Sequence, residues 1–218
     1  MERVASKELF LAKCEDMGMQ VTEERERRFK ESLKRTCTAT VLDLREQSFK
    51  EHAAAALSGW LNSEETFIHL VLCNNELGDE GCAAVARCFQ HNTSIISVDL
   101  RSNNIGPTGT ESIFEGLEAN KTITSVDFST MGGSKRNILG VKGCQAFSAM
   151  VARNPVFSQL SARETLLGAR EAEALSVGLA VTMSISKLDF GTNKIGPEGA
   201  QFICKALANI SSSLEWLS

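Results

Sequence analysis

One phrase recurs along this chain of 218 residues and leaves little freedom in how it folds. SVDLRSNNIGPTG, residues 97–109, is written again with small changes as HLVLCNNELGDEG from His69 and as KLDFGTNKIGPEG from Lys187. Aligned on the residue before the first glycine, the copies place Leu77, Ile105, Leu139, Leu167 and Ile195 at spacings of 28, 34, 28 and 28 residues, and one more step of 28 back from Leu77 reaches Phe49. A fixed period in this range marks a solenoid. One unit cannot bury its own apolar face, whereas stacked copies share a continuous core.

The content of the unit predicts its conformation. Seven and five residues before the anchors stand Leu42 and Leu44, Leu70 and Leu72, Val98 and Leu100, Leu160 and Ala162, Leu188 and Phe190. That alternation predicts a short strand with one buried face. Two residues before the anchors come Gln47, Asn75, Asn103, Thr165 and Asn193, polar side chains able to satisfy backbone groups where the chain leaves the sheet. The glycines that follow permit a tight turn, and Pro107 and Pro197 suit a first helical turn. Apolar residues then recur at helical spacing: Cys82, Val85, Cys88 and Phe89; Thr110, Ile113 and Leu117; Cys144, Phe147, Met150 and Val151; Ala172, Leu175 and Leu179; Ala200, Ile203 and Leu207.

The L-x-L-x-x-N-x-L pattern and the 28-residue period resemble the leucine-rich repeats of the ribonuclease-inhibitor-like subfamily, over about Thr38 to Ser218. The resemblance implies an α/β fold: a right-handed leucine-rich-repeat solenoid, or horseshoe, with a concave parallel sheet and convex helices, and the residues before it are read as an N-terminal helical cap. It does not imply one activity, since that subfamily includes ribonuclease inhibitor, innate-immune receptors, the activating protein of the Ran GTPase and the tropomodulins. The expected organisation is a cap at 1–36 and an array at 37–218, of about six repeats plus an unfinished seventh strand.

Composition narrows the class of partner. A net charge of -4 and a pI near 5.5 argue against a nucleic-acid binder, which needs a basic stripe. No apolar run is long enough to span a bilayer, and the N-terminus has no signal-peptide pattern, so neither nucleic acid nor membrane is expected as partner. Seven cysteines with no zinc-type spacing suggest free thiols in a reducing, cytoplasmic setting, with a cytoskeletal association left open. Asn92, Asn120 and Asn209 sit in N-x-S/T triplets but read as turn residues.

Departures from the repeat are where function is sought. The fourth unit carries six extra residues, giving an inserted loop at 131–138 with Gly132, Gly133, Lys135 and Arg136 near its tip. It is either a tolerated surface insertion or a contact loop. In the next unit, Asn154-Pro155 is read as breaking the incoming turn, Ala162 and Thr165 replace a strand leucine and the asparagine, and Glu171 replaces the second glycine. Residues 1 to 36 read as two helices, with apolar stripes Phe10, Cys14, Met17 and Phe29, Leu33, and with pairs Glu23–Arg27, Glu24–Arg28, Glu26–Lys30 and Glu31–Arg35 on the second. Trp60 stands where later units place Cys88, Gly116 and Gly178, so those leading helices are expected to cover it. At the other end, Leu214 and Leu217 repeat the pair Ile185 and Leu188 as a strand that stops before its turn. The expectation is either a fragment of a longer array or a partner associating through that open strand edge.

No catalytic, cofactor or metal arrangement stands out around His52, His69 or His91. The strongest signal is on the outward face of the strands. Asp43, Val71, Asp99, Asp127, Ser161 and Asp189 form one column, and Arg45, Cys73, Arg101, Ser129, Arg163 and Gly191 form a second beside it. Asp99 and Asp127 should repel unless Arg101 reaches between them. Cys73, facing outward, is a candidate reactive thiol, although its own strand offers no cation to activate it. The charges either satisfy one another as a ladder or recognise a complementary protein, and these are compatible. The predicted protein-binding residues are Arg45, Asp99, Arg101, Asp127, Ser129, Lys135, Arg136, Arg163 and Asp189, on a non-enzymatic scaffold. A GTPase regulator similar to the Ran activator and a tropomodulin-like cytoskeletal component are the alternatives; no residue here can be matched to the former's catalytic contacts.

Overall fold

The computed structural model describes residues 3–132, 135–208 and 214–218. Gly133 and Asn209 therefore lie outside the described residues. Two helices come first, α1 (Arg3–Asp16) and α2 (Glu23–Thr36). Strand and helix then alternate: β1 (Val41–Asp43), α3 (Glu51–Leu61), β2 (His69–Val71), α4 (Gly78–Phe89), β3 (Ser97–Asp99), α5 (Pro107–Glu118), β4 (Ser125–Asp127) and α6 (Gly140–Val151). The series continues with β5 (Gln159–Ser161), α7 (Ala169–Leu179), β6 (Lys187–Asp189), α8 (Gly196–Leu207) and β7 (Trp216–Leu217).

Strands β1 to β7 form one parallel sheet in sequence order. Its register repeats the sequence alignment, with Leu42 beside Leu70, Leu70 beside Val98, Val98 beside Val126 and Val126 beside Leu160. Consecutive helices from α3 to α8 pack on one another as a second layer. Parallel strands lie about 4.8 Å apart whereas packed helices need about 8–10 Å. Joined one to one, the two layers must curve with the sheet on the inner side.

The core lies between the layers. The stripes expected on α4 to α7 are buried throughout, and Phe114 joins them on α5. Under the irregular fourth and fifth units, Phe114 packs against Phe128 at 5.4 Å and Phe147 at 5.3 Å, and Phe147 against Phe157 at 6.2 Å. On α8 only part of the expected stripe is covered: Ile203 is buried, but Ala200 is exposed and Leu207 half-buried, while Gly199 and Ala206 are buried instead. The small residues at the helix contacts are required by closeness. A Cβ on Gly116 would stand 2.6 Å from the Ala86 carbonyl oxygen, and one on Gly178 would stand 2.4 Å from Ser148 Cα. Trp60 takes the equivalent place on α3, the helix that packs on α1, and meets Phe67 edge-on at 5.7 Å.

Two ladders of asparagines stitch the repeats. Asn75 accepts from the N–H groups of Gln47 and Phe49 and donates to the carbonyls of Leu44 and Leu72, at 2.8–3.1 Å. Asn193 does the same for Thr165, Leu167, Ala162 and Phe190. A short amide carrying both donor and acceptor is what this position demands. Asn137 is a full member of this ladder: it stands two residues before the anchor Leu139, as the offset requires, but the six extra residues part it from its strand and it was left out of the sequence series. It accepts from Asn103 and Ile105 and donates to Leu100 and Phe128. The second ladder runs where the helices end: Asn92, Asn120 and Asn154 each donate to two carbonyls of the preceding unit. Asn154 thus continues the turn series instead of breaking it. Asn92 and Asn120 are buried turn residues, as expected.

The leading helices differ in detail from expectation. Ala5, Leu9, Phe10 and Cys14 are buried, but Met17 lies past the end of α1 and is 41% exposed. On α2, Glu24 pairs with Arg28 at 2.7 Å and with Arg27 at 2.6 Å, and Glu26 pairs with Lys30; Arg27 thus turns to Glu24 instead of Glu23, and Glu31 and Arg35 form no ion pair among the described residues. Asp16 ties the two parts of the chain together. Its carboxylate accepts from the backbone N–H groups of Lys50, His52 and Ala53 at 2.8–3.0 Å, capping α3 from another element.

Candidate functional site: the outward face of the sheet

Alternation along each strand sends one set of side chains into the core and leaves the other on the open face. There the in-register series Asp43, Val71, Asp99, Asp127, Ser161, Asp189 stands as the sequence placed it. Arg45 grips Asp43 of its own strand, with Nε 2.9 Å from both carboxylate oxygens. Arg101 holds Asp99 in the same way, at 2.9 Å through Nε and 2.6 Å through Nη2. Arg163 turns instead to the next strand and meets Asp189 at 3.0 Å, since its own strand offers Ser161. The contacts of Arg45 and Arg101 use two guanidinium nitrogens each, whereas Arg163 meets Asp189 through Nη1 alone.

Asp127 is the exception. Two residues on, where β1 and β3 are followed by an arginine, stands Ser129, and its hydroxyl is shared with Ser161 at 2.8 Å. The Asp127 carboxylate accepts from the Ser129 N–H at 2.8 Å. The guanidinium of Arg101 does reach between the two aspartates, but its Nε stops 3.7 Å from Asp127 Oδ2. Burial pushes the Asp127 carboxyl above the usual carboxylate range, because hydrogen bonds from Ser129 and the pull of Arg101 compensate only in part. The Arg101 guanidinium is raised in turn by its bond to Asp99. A shallow concavity of about 350 Å³ opens here, lined by Asp99, Asp127, Gln159, Ser161, Lys187 and Trp216 among others.

Of the two readings of Cys73, a reactive thiol or an inert one, the structure supports the inert one. The residue lies on this face but is only 3% exposed. Burial and the Asp99 charge push its thiol up to about 11, outweighing the opposing pull of Arg101 and Arg45. A potential metal-ligand cluster among the described residues is Asp16, Glu51 and His52. Both oxygens of Asp16 already serve as the α3 cap, so the arrangement works as a junction.

A sequence profile described as Leucine Rich repeat matches residues 65–86, 91–114 and 183–204. The chain is a leucine-rich-repeat protein. No curated protein matches it in sequence. Two of the solved structures that match illustrate the shared fold. The leiomodin-1 actin-binding site 2 aligns with a TM-score of 0.53 and 22% identity, covering 69% of this chain and 89% of that one. The tropomodulin C-terminal domain from Caenorhabditis elegans aligns with a TM-score of 0.50 and 9% identity, covering 82% and 89%. At these identities the likeness speaks for the fold.

In this leucine-rich-repeat protein the inserted loop is fastened to its neighbours on both sides. Lys135 donates to the Asn74 carbonyl at 3.2 Å and pairs with Glu76 at 3.4 Å. Arg136 reaches the other way, to Glu164 at 3.2 Å. Behind them, Met131 N–H donates to the Ser102 hydroxyl at 2.7 Å, and Met131 itself is 41% exposed. Of the nine predicted contact residues, Arg45, Asp99, Arg101, Asp127, Ser129, Arg163 and Asp189 share the sheet face. Lys135 and Arg136 belong to the loop, engaged with residues two units back and one unit on. Trp216, absent from that prediction, lines the concavity from β7 and is 47% exposed. Its signal in the sequence was register: it pairs with Lys187. Among the described residues no helix is long and apolar enough to cross a membrane.

Proposed function

We propose that this leucine-rich-repeat protein is an interaction scaffold that binds a protein partner on the outward face of its sheet, with the loop at 131–138 flanking the contact. One observation supports the reading: a continuous parallel sheet presents a row of charged side chains already engaged in Arg–Asp bonds, around an open concavity. Engaging those side chains beforehand lowers the ordering cost of binding. Arg45, Asp99, Arg101, Asp127, Ser129, Arg163 and Asp189 form the contact, with Lys135 and Arg136 at its rim. Residues 1–36 act as a cap on the array at 37–218, with Asp16 as the fastening. All seven cysteines are free and five of them buried, which supports a reducing, cytoplasmic setting.

The test is the double variant Arg101→Ala/Asp127→Ala, with the partner obtained by affinity purification and mass spectrometry. The expected outcome is at least a tenfold loss of affinity, about 1.4 kcal/mol, with an unchanged circular dichroism spectrum. Full affinity in a folded variant rejects this face. A second reading, a cytoskeletal component, is favoured by the description of one structural relative as an actin-binding site. Cosedimentation with actin filaments separates the two: pelleting that the double variant does not reduce supports a filament contact elsewhere.

A further inference from the structure

The sheet face has a specific vacancy, and its chemistry indicates what fills it. Three of its four aspartates are matched by a guanidinium within hydrogen-bonding distance: Asp43 by Arg45, Asp99 by Arg101 and Asp189 by Arg163. Asp127 has none among the described residues, since Arg101 is spent on Asp99 and stands at 3.7 Å. Arg163, the cation on the adjacent strand, is drawn away by Asp189. The place where a fourth guanidinium would lie is occupied by the hydroxyls of Ser129 and Ser161, and the concavity opens over it.

We propose that the concavity over Asp127 receives an arginine side chain of the protein partner, with the guanidinium on the Asp127 carboxylate. This deepens the sheet-face reading and rests on it. Asp127 supplies the charge, and its side chain is 35% exposed, so the incoming group can reach it. Gln159 and Ser161 add acceptors for the remaining donors of a planar fork. Trp216, exposed at the rim of the same concavity, offers a ring face on which a guanidinium stacks. Lys187 also lines the concavity and forms no ion pair among the described residues. It opposes a second cation, which favours a single inserted arginine over a polybasic segment and provides a contact for an acidic neighbour of that arginine.

The experiment is peptide display on the whole protein. A random library is panned on the wild type and counter-selected on Asp127→Asn, a variant of nearly the same shape whose fold is checked by its melting curve. Recovered peptides are expected to share one arginine. Changing that arginine to citrulline, or Asp127 to asparagine, should each weaken binding about tenfold, and the two changes together should cost little more than either alone. Lysine in its place should bind more weakly than arginine. Peptides without a shared arginine, or binding that is equal on Asp127→Asn, overturn the inference. Gln159→Trp, which fills the concavity, separates the two levels: peptides that lose binding to this variant yet ignore Asp127→Asn uphold the sheet face while rejecting the arginine, and peptides that ignore both variants count against the face as well.

Discussion

Replacing Asn137 by alanine tests how the repeats are held together. The side chain is fully buried and makes four hydrogen bonds at 2.8–3.0 Å. Of its partners, the Leu100 carbonyl keeps a second donor, Asn103 Nδ2 at 3.0 Å. The N–H groups of Asn103 and Ile105 and the carbonyl of Phe128 have Asn137 as their side-chain partner and lose it. Each unsatisfied buried group costs about 1–3 kcal/mol. Three of them amount to about 3–9 kcal/mol, and water entering the space left by the amide recovers a good part of this. The expected loss is therefore about 3–5 kcal/mol, a large share of the roughly 5–15 kcal/mol that holds a typical domain. Urea unfolding at neutral pH measures it, with the exposed Gln145→Ala as control, and hydrogen exchange should quicken at the amides of Asn103 and Ile105. A loss below about 1 kcal/mol with both amides still protected would falsify the view that this ladder couples the third and fourth repeats.

Other predictions follow from the same geometry. Gly178→Ala should drive α6 and α7 apart, because the new methyl meets backbone of Ser148; a loss of about 1–3 kcal/mol in thermal unfolding is expected, and a neutral result contradicts the close approach. Asp16→Ala should cost about 1–2 kcal/mol and raise hydrogen exchange at the start of α3, the signature of a lost cap. His52 has its pKa raised chiefly by its hydrogen bond to Asp16 and further by Glu15, Asp16 and Glu51. Its contribution is therefore complete below the unfolded value of about 6.5 and is lost as pH rises through the higher folded value. Protection from exchange at this junction, corrected for the intrinsic pH dependence of amide exchange, should fall over that window in the wild type and stay constant in His52→Gln; equal profiles refute it. At pH 7.5 a thiol reagent should modify exposed Cys204 and spare Cys73, whose thiol is pushed up to about 11; fast labelling of Cys73 goes against its burial.

The parallel sheet was legible because the period carries its own register: once Leu70 and Val98 are aligned in sequence, their strands have one way to pair. The same logic put Asp99 beside Asp127 before any coordinates. What stayed hidden depends on contacts that no offset predicts. Asn137 was legible at two residues before Leu139 but was passed over because no strand leucines stand seven and five residues before that anchor, and Asn154 was misread because the proline after it suggested a break. Asp16 caps a helix more than thirty residues away, a contact with no local trace. Cys73 was judged by its own strand, whereas its surroundings come from Arg45 and Arg101 on the neighbouring strands. Asp127 was read as one member of a column, and only the direction taken by each arginine shows it to be the unmatched one.

The use of the sheet face is tested most directly by position-specific photocrosslinking. A benzoylphenylalanine at Val71, in the outward column between Asp43 and Asp99 and outside the concavity, should join covalently to the partner, and the same group at Gln145, on the helix side, should not. Crosslinking at Gln145 with none at Val71 would place the partner on the helices and contradict the account.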